Sequence, residues 1–214
     1  MKPMAAPGRP LATRDLVLAA LLAAVTSVLA YVRIPLPMSP VPITGQTLGL
    51  MLAGVLLGPR LGALSQAVYL LMGAVGLPVF AGGQGGLGVL VGPTGGYLWG
   101  HVAGAYVAGL VAGPGLWTAA AGGEARLPGG SRRGTMVFGR SLAGAVLGGI
   151  VTVYGLGVLQ LALVTGMGWQ AALLAGAVPF LPGDALKAAA AAALAARLAR
   201  AAGVRPAPSE APSR

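Results

Sequence analysis

The chain has 214 residues, of which 56% are apolar and only 8% carry a charge, against roughly 25% charged residues in a typical soluble domain. This composition excludes a soluble fold and predicts an integral membrane protein. The absence of cysteine and the presence of a single histidine argue against metal sites, so no metal or other cofactor is predicted. The net charge of +10 would suit nucleic acid, but the basic residues do not form a stripe interleaved with aromatic residues.

The first membrane helix is predicted over Leu16–Val32, which has 17 residues without a charge. Residues 1–13 precede it and, being rich in proline, glycine and cations, predict a short disordered arm. Two pairs of small residues on this helix favour close packing against another helix, although an alanine-rich helix also contains such pairs by chance. The pairs are Ala19 with Ala23 and Ala20 with Ala24.

The next stretch, residues 33–42, holds four prolines and therefore cannot be a continuous helix. A second helix is predicted over Ile43–Leu57 and a third over Leu61–Gly76. The turn between them is only three residues long, Gly58-Pro59-Arg60, so these two helices should form a close hairpin.

Residues 77–96 form the longest glycine-rich stretch and carry no charge. Residues 83–88 match the dinucleotide fingerprint G-x-G-x-x-G, but the match is weak because no strand precedes it and no acidic residue follows at about twenty positions. A neutral glycine-rich stretch between membrane helices is expected to fold back into the protein and line a cavity. The alternative is a flexible outside loop, which its apolar residues argue against.

The fourth helix is predicted over Tyr97–Ala121, with an interruption near residues 113–115. On one face of this segment lie Gly96, Gly100 and Gly104, which are spaced four residues apart, so another backbone could approach closely there. His101 lies on the same helix and, as a lone histidine, is interpreted as a hydrogen-bonded structural residue.

A polar loop is predicted over Glu124–Arg140, followed by a long fifth helix over Ser141–Met167. Trp169–Val178 is too short to cross a bilayer. The last helix is predicted from Gly183 to Arg200, and residues 201–214 form a disordered tail.

The distribution of cations predicts the topology of these six spanning helices, which together make residues 14–200 one membrane domain. All of the 14 Lys and Arg residues except Arg33 and Lys187 fall on one side of the membrane. By the positive-inside rule, that side and both termini are cytoplasmic. The proline-rich stretch, the glycine-rich stretch, the short segment and the start of the last helix then all lie on the outer side.

The most informative feature is the pair Asp184 and Lys187, which lies between two long apolar runs. Three positions apart on a helix, the two side chains share a face. Charges in such a segment are costly and usually face a polar cavity or each other, which predicts a functional site. The structural alternative is that Asp184 caps the helix while Lys187 extends to the membrane surface.

An outer pocket around this pair is predicted to bind a small amphipathic metabolite with an amide-like or carboxylate end. Phe80 and Tyr31 are candidates for apolar contacts. No nucleophile–base pair accompanies Asp184 and Lys187, so catalysis is not predicted. The candidates for neutral hydrogen bonds to the ligand are Gln84, Thr94, Tyr97 and Gln46.

Three stretches of the chain resemble the BioY family of biotin-specific substrate-binding (S) components of energy-coupling factor (ECF) transporters. They are RIPLPMSPVPITGQTLG from residue 33, GLPVFAGGQGGLGVLVGPTGGYL from residue 76 and VPFLPGDALK from residue 178. The resemblance covers residues 14–200 and implies the six-helix S-component fold in a prokaryotic cell membrane. It also implies capture of biotin from outside and partnership with a transmembrane T protein and two ABC ATPases.

The resemblance also assigns roles to residues. It implies that Asp184 and Lys187 make the polar contacts with biotin, together with Gln84, Thr94 and Tyr97. Asp184 would accept from a ureido N–H and Lys187 would donate to the ureido carbonyl, or alternatively to the carboxylate of biotin. The alanine pairs on the first helix resemble the family's docking surface for the T protein.

Three alternatives stay open on the residues alone. One is an S component for another vitamin, and the second is a proton-driven secondary transporter that uses Asp184 and His101. The absence of an evident inverted repeat weakens the second. A membrane enzyme is the third.

Overall fold

The computed structural model describes residues 11–37, 39–113 and 131–202 of the chain. Its helices are α1 (Thr13–Leu29), α2 (Gln46–Leu57), α3 (Pro59–Ala74), α4 (Leu87–Val91), α5 (Gly95–Ala112), α6 (Ser131–Val146), α7 (Val153–Thr165), α8 (Trp169–Gly176) and α9 (Leu181–Ala202). The strands β1 (Arg33–Ile34) and β2 (Ile43–Thr44) pair antiparallel, with Arg33 opposite Thr44. The fold is therefore mostly helical, as the composition predicts.

Two helical stretches in the described part are long and apolar enough to cross a membrane, Gly134–Thr165 and Trp169–Ala201. The other apolar helices are shorter; α2, for example, has 12 residues. Six spanning helices and cytoplasmic termini stay predictions. The arm before residue 11, the tail after residue 202 and the continuation of the fourth helix to Ala121 lie outside the described residues.

Helix α5 is the centre of the bundle and packs against α2, α3, α6 and α7. Close approach to α7 depends on glycine. A Cβ on Gly100 would lie 2.9 Å from the Cα of Val153, and one on Gly96 would lie 3.0 Å from the Cα of Gly157. Real Cβ atoms do not tolerate such distances, so the glycine face of α5 is what lets the two backbones meet. The predicted close approach of another backbone at this face is confirmed.

Helices α2 and α3 form the predicted close hairpin. Gly58 turns the chain at φ +81°, which glycine adopts without steric cost, and Pro59 then occupies the first helical position. A Cβ on Gly62 would lie 2.8 Å from the Cα of Gly54, so the two helices touch backbone to backbone. The hairpin turn ends α2 and holds this helix against α3, and the opposite end of α2 forms part of the site described below.

Helix α9 packs against α6 and α2 through a face made almost entirely of alanine. Alanine has the highest helix propensity and lets a neighbouring helix come close. The buried members of this face are Ala188, Ala191, Ala192, Ala195, Ala196 and Ala199. This alanine face begins at Ala188, directly after Lys187, and runs along α9 to Ala199.

Two helix boundaries differ from the prediction for identifiable reasons. Helix α1 begins three residues early, because the Asp15 carboxylate accepts the N–H of Ala12 (3.1 Å) and stabilises the helix start. Helix α9 begins at Leu181 and not at Gly183, because Pro182 is compatible with a first helical turn. Asp184 consequently lies inside the first turn of α9.

The predicted polar loop over residues 124–140 is wrong from residue 131 onward, where α6 is already helical. The reason lies in its packing. Val137 packs against the cluster of Val55, Leu56 and Ala195, and Arg140 Nε donates to the carbonyl of Val111 (3.3 Å). The loop was predicted over a segment that contains Arg132, Arg133 and Arg140. The apolar contact of Val137 nevertheless stabilises a helix there.

A π-helical turn, Leu147–Thr152, joins α6 to α7 without breaking the helical run. The hydroxyl of Thr152 donates to the carbonyl of Leu147 (2.9 Å), five residues earlier. Gly148 and Gly149 lie in this turn, the first against the backbone of α5 and the second against Met51. These glycines allow the widened turn to lie within the core.

Candidate functional site

A cavity of about 120 Å³ lies where β2, the glycine-rich stretch and the first turns of α2, α5 and α9 meet. It has several times the space that one water molecule needs. The six residues predicted to bind the ligand all line it. They are Asp184, Lys187, Gln84, Thr94, Tyr97 and Gln46. The predicted folding back of the glycine-rich stretch is confirmed as well, since Phe80 and Val89 also line the cavity.

The Asp184 carboxylate is almost fully buried, with 3% of the residue exposed. Its Oδ1 accepts from Lys187 Nζ (2.6 Å) and from the hydroxyl of Thr47 (2.8 Å). Its Oδ2 accepts from the hydroxyl of Tyr154 (2.5 Å). None of these partners is a backbone N–H of α9, so Asp184 does not act as a helix cap.

The Lys187 ammonium points inward and does not extend to the surface. It donates to Asp184 Oδ1, to the carbonyl of Thr44 (2.6 Å) and to the hydroxyl of Thr47 (3.1 Å). An ammonium has three N–H donors, and these contacts use all three. The Lys187 side chain is 19% exposed and forms an ion pair with Asp184. Both structural alternatives for the pair are therefore wrong.

The local sequence Thr44-Gly45-Gln46-Thr47 brings the partners of this pair together. Pairing of β2 with β1 holds Thr44, and Gly45 lets α2 start at once: a Cβ on Gly45 would lie 2.7 Å from the carbonyl oxygen of Leu29. The Thr44 hydroxyl donates to Gln46 Oε1 (2.9 Å). The strand end thus supplies a carbonyl to Lys187, and the helix start supplies the Thr47 hydroxyl to both charged residues.

Phe80 and His101 form an aromatic wall of the cavity, and the ring of Tyr69, which does not itself line the cavity, packs against both. Gln46 Nε2 donates to the hydroxyl of Tyr69, which in turn donates to the carbonyl of Val79 (3.1 Å). Tyr69 stacks on His101 with ring centroids 6.0 Å apart and meets Phe80 edge to face at 5.6 Å. Gln46 therefore holds the wall in place with an amide group that is already hydrogen-bonded.

Among the residues that the structure describes, His101 has no partner for the hydrogen-bonded structural role predicted for it. The residue is 2% exposed and lines the cavity, and its Nδ1 atom has no hydrogen-bond partner in the described part of the chain. Its ring stacks on the ring of Tyr69. Phe80 lines the cavity as predicted, whereas Tyr31 is exposed and donates to the carbonyl of Pro78 (2.6 Å).

Tyr97, Gln84 and Thr94 contribute in different ways. The Tyr97 hydroxyl donates to the carbonyl of Gly176 (2.7 Å), so this residue offers its ring to the cavity. Gln84 is exposed. Its backbone carbonyl accepts the backbone N–H of Phe80 (2.9 Å), which forms an isolated antiparallel bridge within the glycine-rich stretch. Thr94 precedes α5 without a side-chain capping bond.

Sequence reasoning missed Thr47 and Tyr154, the two hydroxyl donors to Asp184. Tyr154 is the only aromatic residue in the predicted fifth helix, and that was the one available signal. Thr47 follows Gln46 directly and has no distinguishing pattern. Thr47 lies 137 positions and Tyr154 lies 30 positions before Asp184 in the chain, so only the fold reveals the contacts.

We expect Gly157→Ala to destabilise the protein by about 1–3 kcal/mol, because a Cβ at Gly157 would overlap the ring of Tyr97 and displace it from Gly176. The matched control is Gly155→Ala in the same helix, where a Cβ meets no atom within 4 Å. Thermal unfolding of the purified variants in detergent measures the difference. Equal midpoints for the two variants would contradict this packing role.

The BioY family model matches residues 2–204. The chain belongs to the BioY family.

Individual BioY relatives agree with this assignment. The chain is 42% identical to the Biotin transporter BioY of Rhizobium etli over 86% of this chain and 92% of the relative. It is 40% identical to the Biotin transporter BioY of Rhodobacter capsulatus over 81% of this chain and 87% of the relative. A solved structure, the S-component for biotin from an ECF-type ABC transporter, superposes with a TM-score of 0.72 at 27% identity. That match covers 90% of this chain and 94% of the other.

The BioY fold of this chain is therefore that of an ECF S component, as the resemblance implied. A BioY protein is a membrane protein, which agrees with the two long apolar helical stretches. The coarse architecture and the membrane setting predicted from sequence are confirmed.

Proposed function

We propose that this BioY protein captures biotin in the cavity around Asp184 and serves as the substrate-specific subunit for biotin uptake by an ECF transporter. The observation that carries the proposal is the ion pair between the buried Asp184 and the partly buried Lys187, both of which line one cavity in a chain with the S-component fold. The relatives are transporters, so the chain is a transport subunit and not an enzyme.

The geometry supports Asp184 as the acceptor for a ureido N–H. A carboxylate offers about four acceptor positions. Lys187, Thr47 and Tyr154 occupy three of them, which leaves one for the ligand. Phe80 and the Tyr97 ring are suited to contact the apolar thiophane ring of biotin.

Lys187 takes a different role from the one first expected. Because its three N–H groups already have acceptors, a bond to the ureido carbonyl would require it to give up Thr44, Thr47 or Asp184. We propose that Lys187 mainly holds Asp184 and Thr47 in position. Gln84 and Thr94 border the cavity and are proposed to contact the ligand, while Gln46 orders the aromatic wall.

The decisive experiment is equilibrium binding of labelled biotin to the purified protein, with unlabelled biotin, thiamine and riboflavin as competitors. We expect saturable binding at one site that only unlabelled biotin displaces. Displacement by thiamine or riboflavin would instead favour an S component for another vitamin. Absence of saturable biotin binding by folded protein would refute the proposal.

We also propose the topology and the partners. Six spanning helices with both termini in the cytoplasm place the cavity on the outer side, which suits capture of an external ligand, and a T protein with two ABC ATPases would energise uptake. The distribution of Lys and Arg supports this orientation. Uptake in cells that produce all of these subunits should stop when ATP is depleted. Uptake that survives ATP depletion would favour the proton-driven alternative.

A further inference from the structure

Arg33 lines the same cavity as Asp184 and Lys187 but lies at its exposed edge. Asp184 is buried, whereas Arg33 is exposed. Arg33 pairs with Thr44 across the β1–β2 ladder, and the carbonyl of Thr44 accepts from Lys187. The short ladder therefore links the two cations of one cavity: Arg33 belongs to β1 and lies at the rim, and Lys187 of α9 donates to a carbonyl of β2 at the buried wall.

The two cations differ in whether their charge is compensated. Lys187 has a carboxylate partner at 2.6 Å. Arg33 has neither an ion pair nor a side-chain hydrogen bond among the residues that the structure describes, and these two are the only Lys or Arg residues that line the cavity there. The uncompensated positive charge of the cavity is therefore at its rim.

The Arg33 side chain lies against the glycine-rich stretch. A Cβ on Gly82 would lie 2.5 Å from Nη1 of Arg33, and Gly82 has a φ of +71°, which strongly favours glycine. The absence of a side chain at Gly82 thus gives the guanidinium room to lie over the stretch that borders the cavity. This contact places the donors of the guanidinium at the cavity entrance.

We propose that Arg33 binds the carboxylate of the ligand and so determines specificity for the acid form, with the ureido ring at Asp184. This assignment rests on the proposed function. A guanidinium matches a carboxylate with two parallel hydrogen bonds, which makes it the suitable partner for this group. Lys187, the other candidate for the carboxylate, has no free donor.

The test compares biotin with biotinamide, in which a neutral amide replaces the carboxylate and the ureido ring is unchanged. Wild-type protein should bind biotin about tenfold more tightly than biotinamide. Arg33→Gln should weaken biotin binding by about the same factor and leave biotinamide binding unchanged, so the preference disappears. Arg33→Lys, which keeps the charge but loses the planar fork, should show an intermediate preference.

Arg60→Gln is the matched control, because it removes the same charge from an exposed side chain in the α2–α3 hairpin, away from this cavity. It should keep the wild-type preference. In unmodified protein, the preference for biotin should also shrink as the salt concentration rises, since the contact lies at an exposed rim. This second measurement does not depend on any variant folding.

The outcomes separate this assignment from the proposed function. Equal weakening of both ligands by Arg33→Gln, or no change in either, would overturn the role of Arg33 while biotin capture stands. A wild-type protein without preference between the two ligands would overturn it as well. Failure of wild-type protein to bind either ligand would instead refute the proposed function.

Discussion

Replacing Asp184 with asparagine should abolish tight biotin binding and also destabilise the folded protein. The partly buried Lys187 would lose its counter-ion, and the cost of about 3–5 kcal/mol for removing one partner of a fully buried ion pair is the upper bound of the expected loss. Loss of the charged acceptor should weaken binding by about a hundredfold, since a hydrogen bond to a charged group contributes about 1.5–3 kcal/mol. Thermal unfolding in detergent and equilibrium binding of labelled biotin measure the two effects.

A double-mutant cycle separates the stability that comes from the Asp184–Lys187 interaction from the effect of each residue alone. Lys187→Met alone should also destabilise, because it leaves the Asp184 charge buried beside Thr47 and Tyr154. Asp184→Asn combined with Lys187→Met should recover much of the lost stability, since no charge then remains unpaired, but should not recover binding. Asp15→Asn is the matched control. It removes the same charge at the start of α1 and should cost less than about 1 kcal/mol.

Two results would contradict this account. Wild-type affinity in both single variants would remove Asp184 and Lys187 from the binding site. Strictly additive losses of stability in the double variant would mean that the two side chains do not depend on each other.

Replacing Ala20 and Ala24 together with leucine should stop uptake while leaving biotin binding intact. The structure separates the two alanine pairs of α1: Ala19 and Ala23 are 2% and 0% exposed and pack inside the chain, whereas Ala20 and Ala24 are exposed. Only the exposed pair is open to a partner, so we propose that it is the docking face for the T protein.

The expected effect is large because docking through small residues depends on backbones approaching closely. Two leucines would hold the partner helix away and lower uptake by about tenfold or more in cells that produce the energising subunits. Co-purification of those subunits should fall in parallel. The control is Ala190→Leu with Ala193→Leu, an exposed pair on α9. Unchanged uptake in the α1 variant, or an equal loss in the control, would contradict the docking role.

The sequence predicts the location of the site well because the relevant residues are chemically unusual where they occur. Asp184 and Lys187 interrupt an apolar run, Gln84 and Thr94 belong to a stretch whose glycines predict folding back, and Tyr97 directly follows that stretch. All of them line one cavity. A charge in an apolar segment must find a partner or a polar cavity, and this constraint is visible without coordinates.

The partners of these residues could not be predicted in the same way. The hydroxyls of Thr47 and Tyr154 reach Asp184 only because α2, α7 and α9 pack together. Nothing local in the sequence encodes that packing. The strands β1 and β2 have two residues each, too few for an alternating pattern. The part of α6 before Ser141 was missed for the opposite reason, since its arginines hide the apolar contact of Val137.

The π-helical turn between α6 and α7 determines in which direction around the helix axis the side chains of α7 point. In an α-helix each residue advances the side-chain direction by about 100°, so one additional residue in a turn rotates all later side chains by about that angle. Tyr154 is the second residue after Thr152, where this turn ends. An uninterrupted α-helix with the same upstream packing would direct the Tyr154 hydroxyl away from Asp184. The carboxylate thus receives one of its three hydrogen bonds through a change of helical phase, which glycines at 148 and 149 make possible in the core.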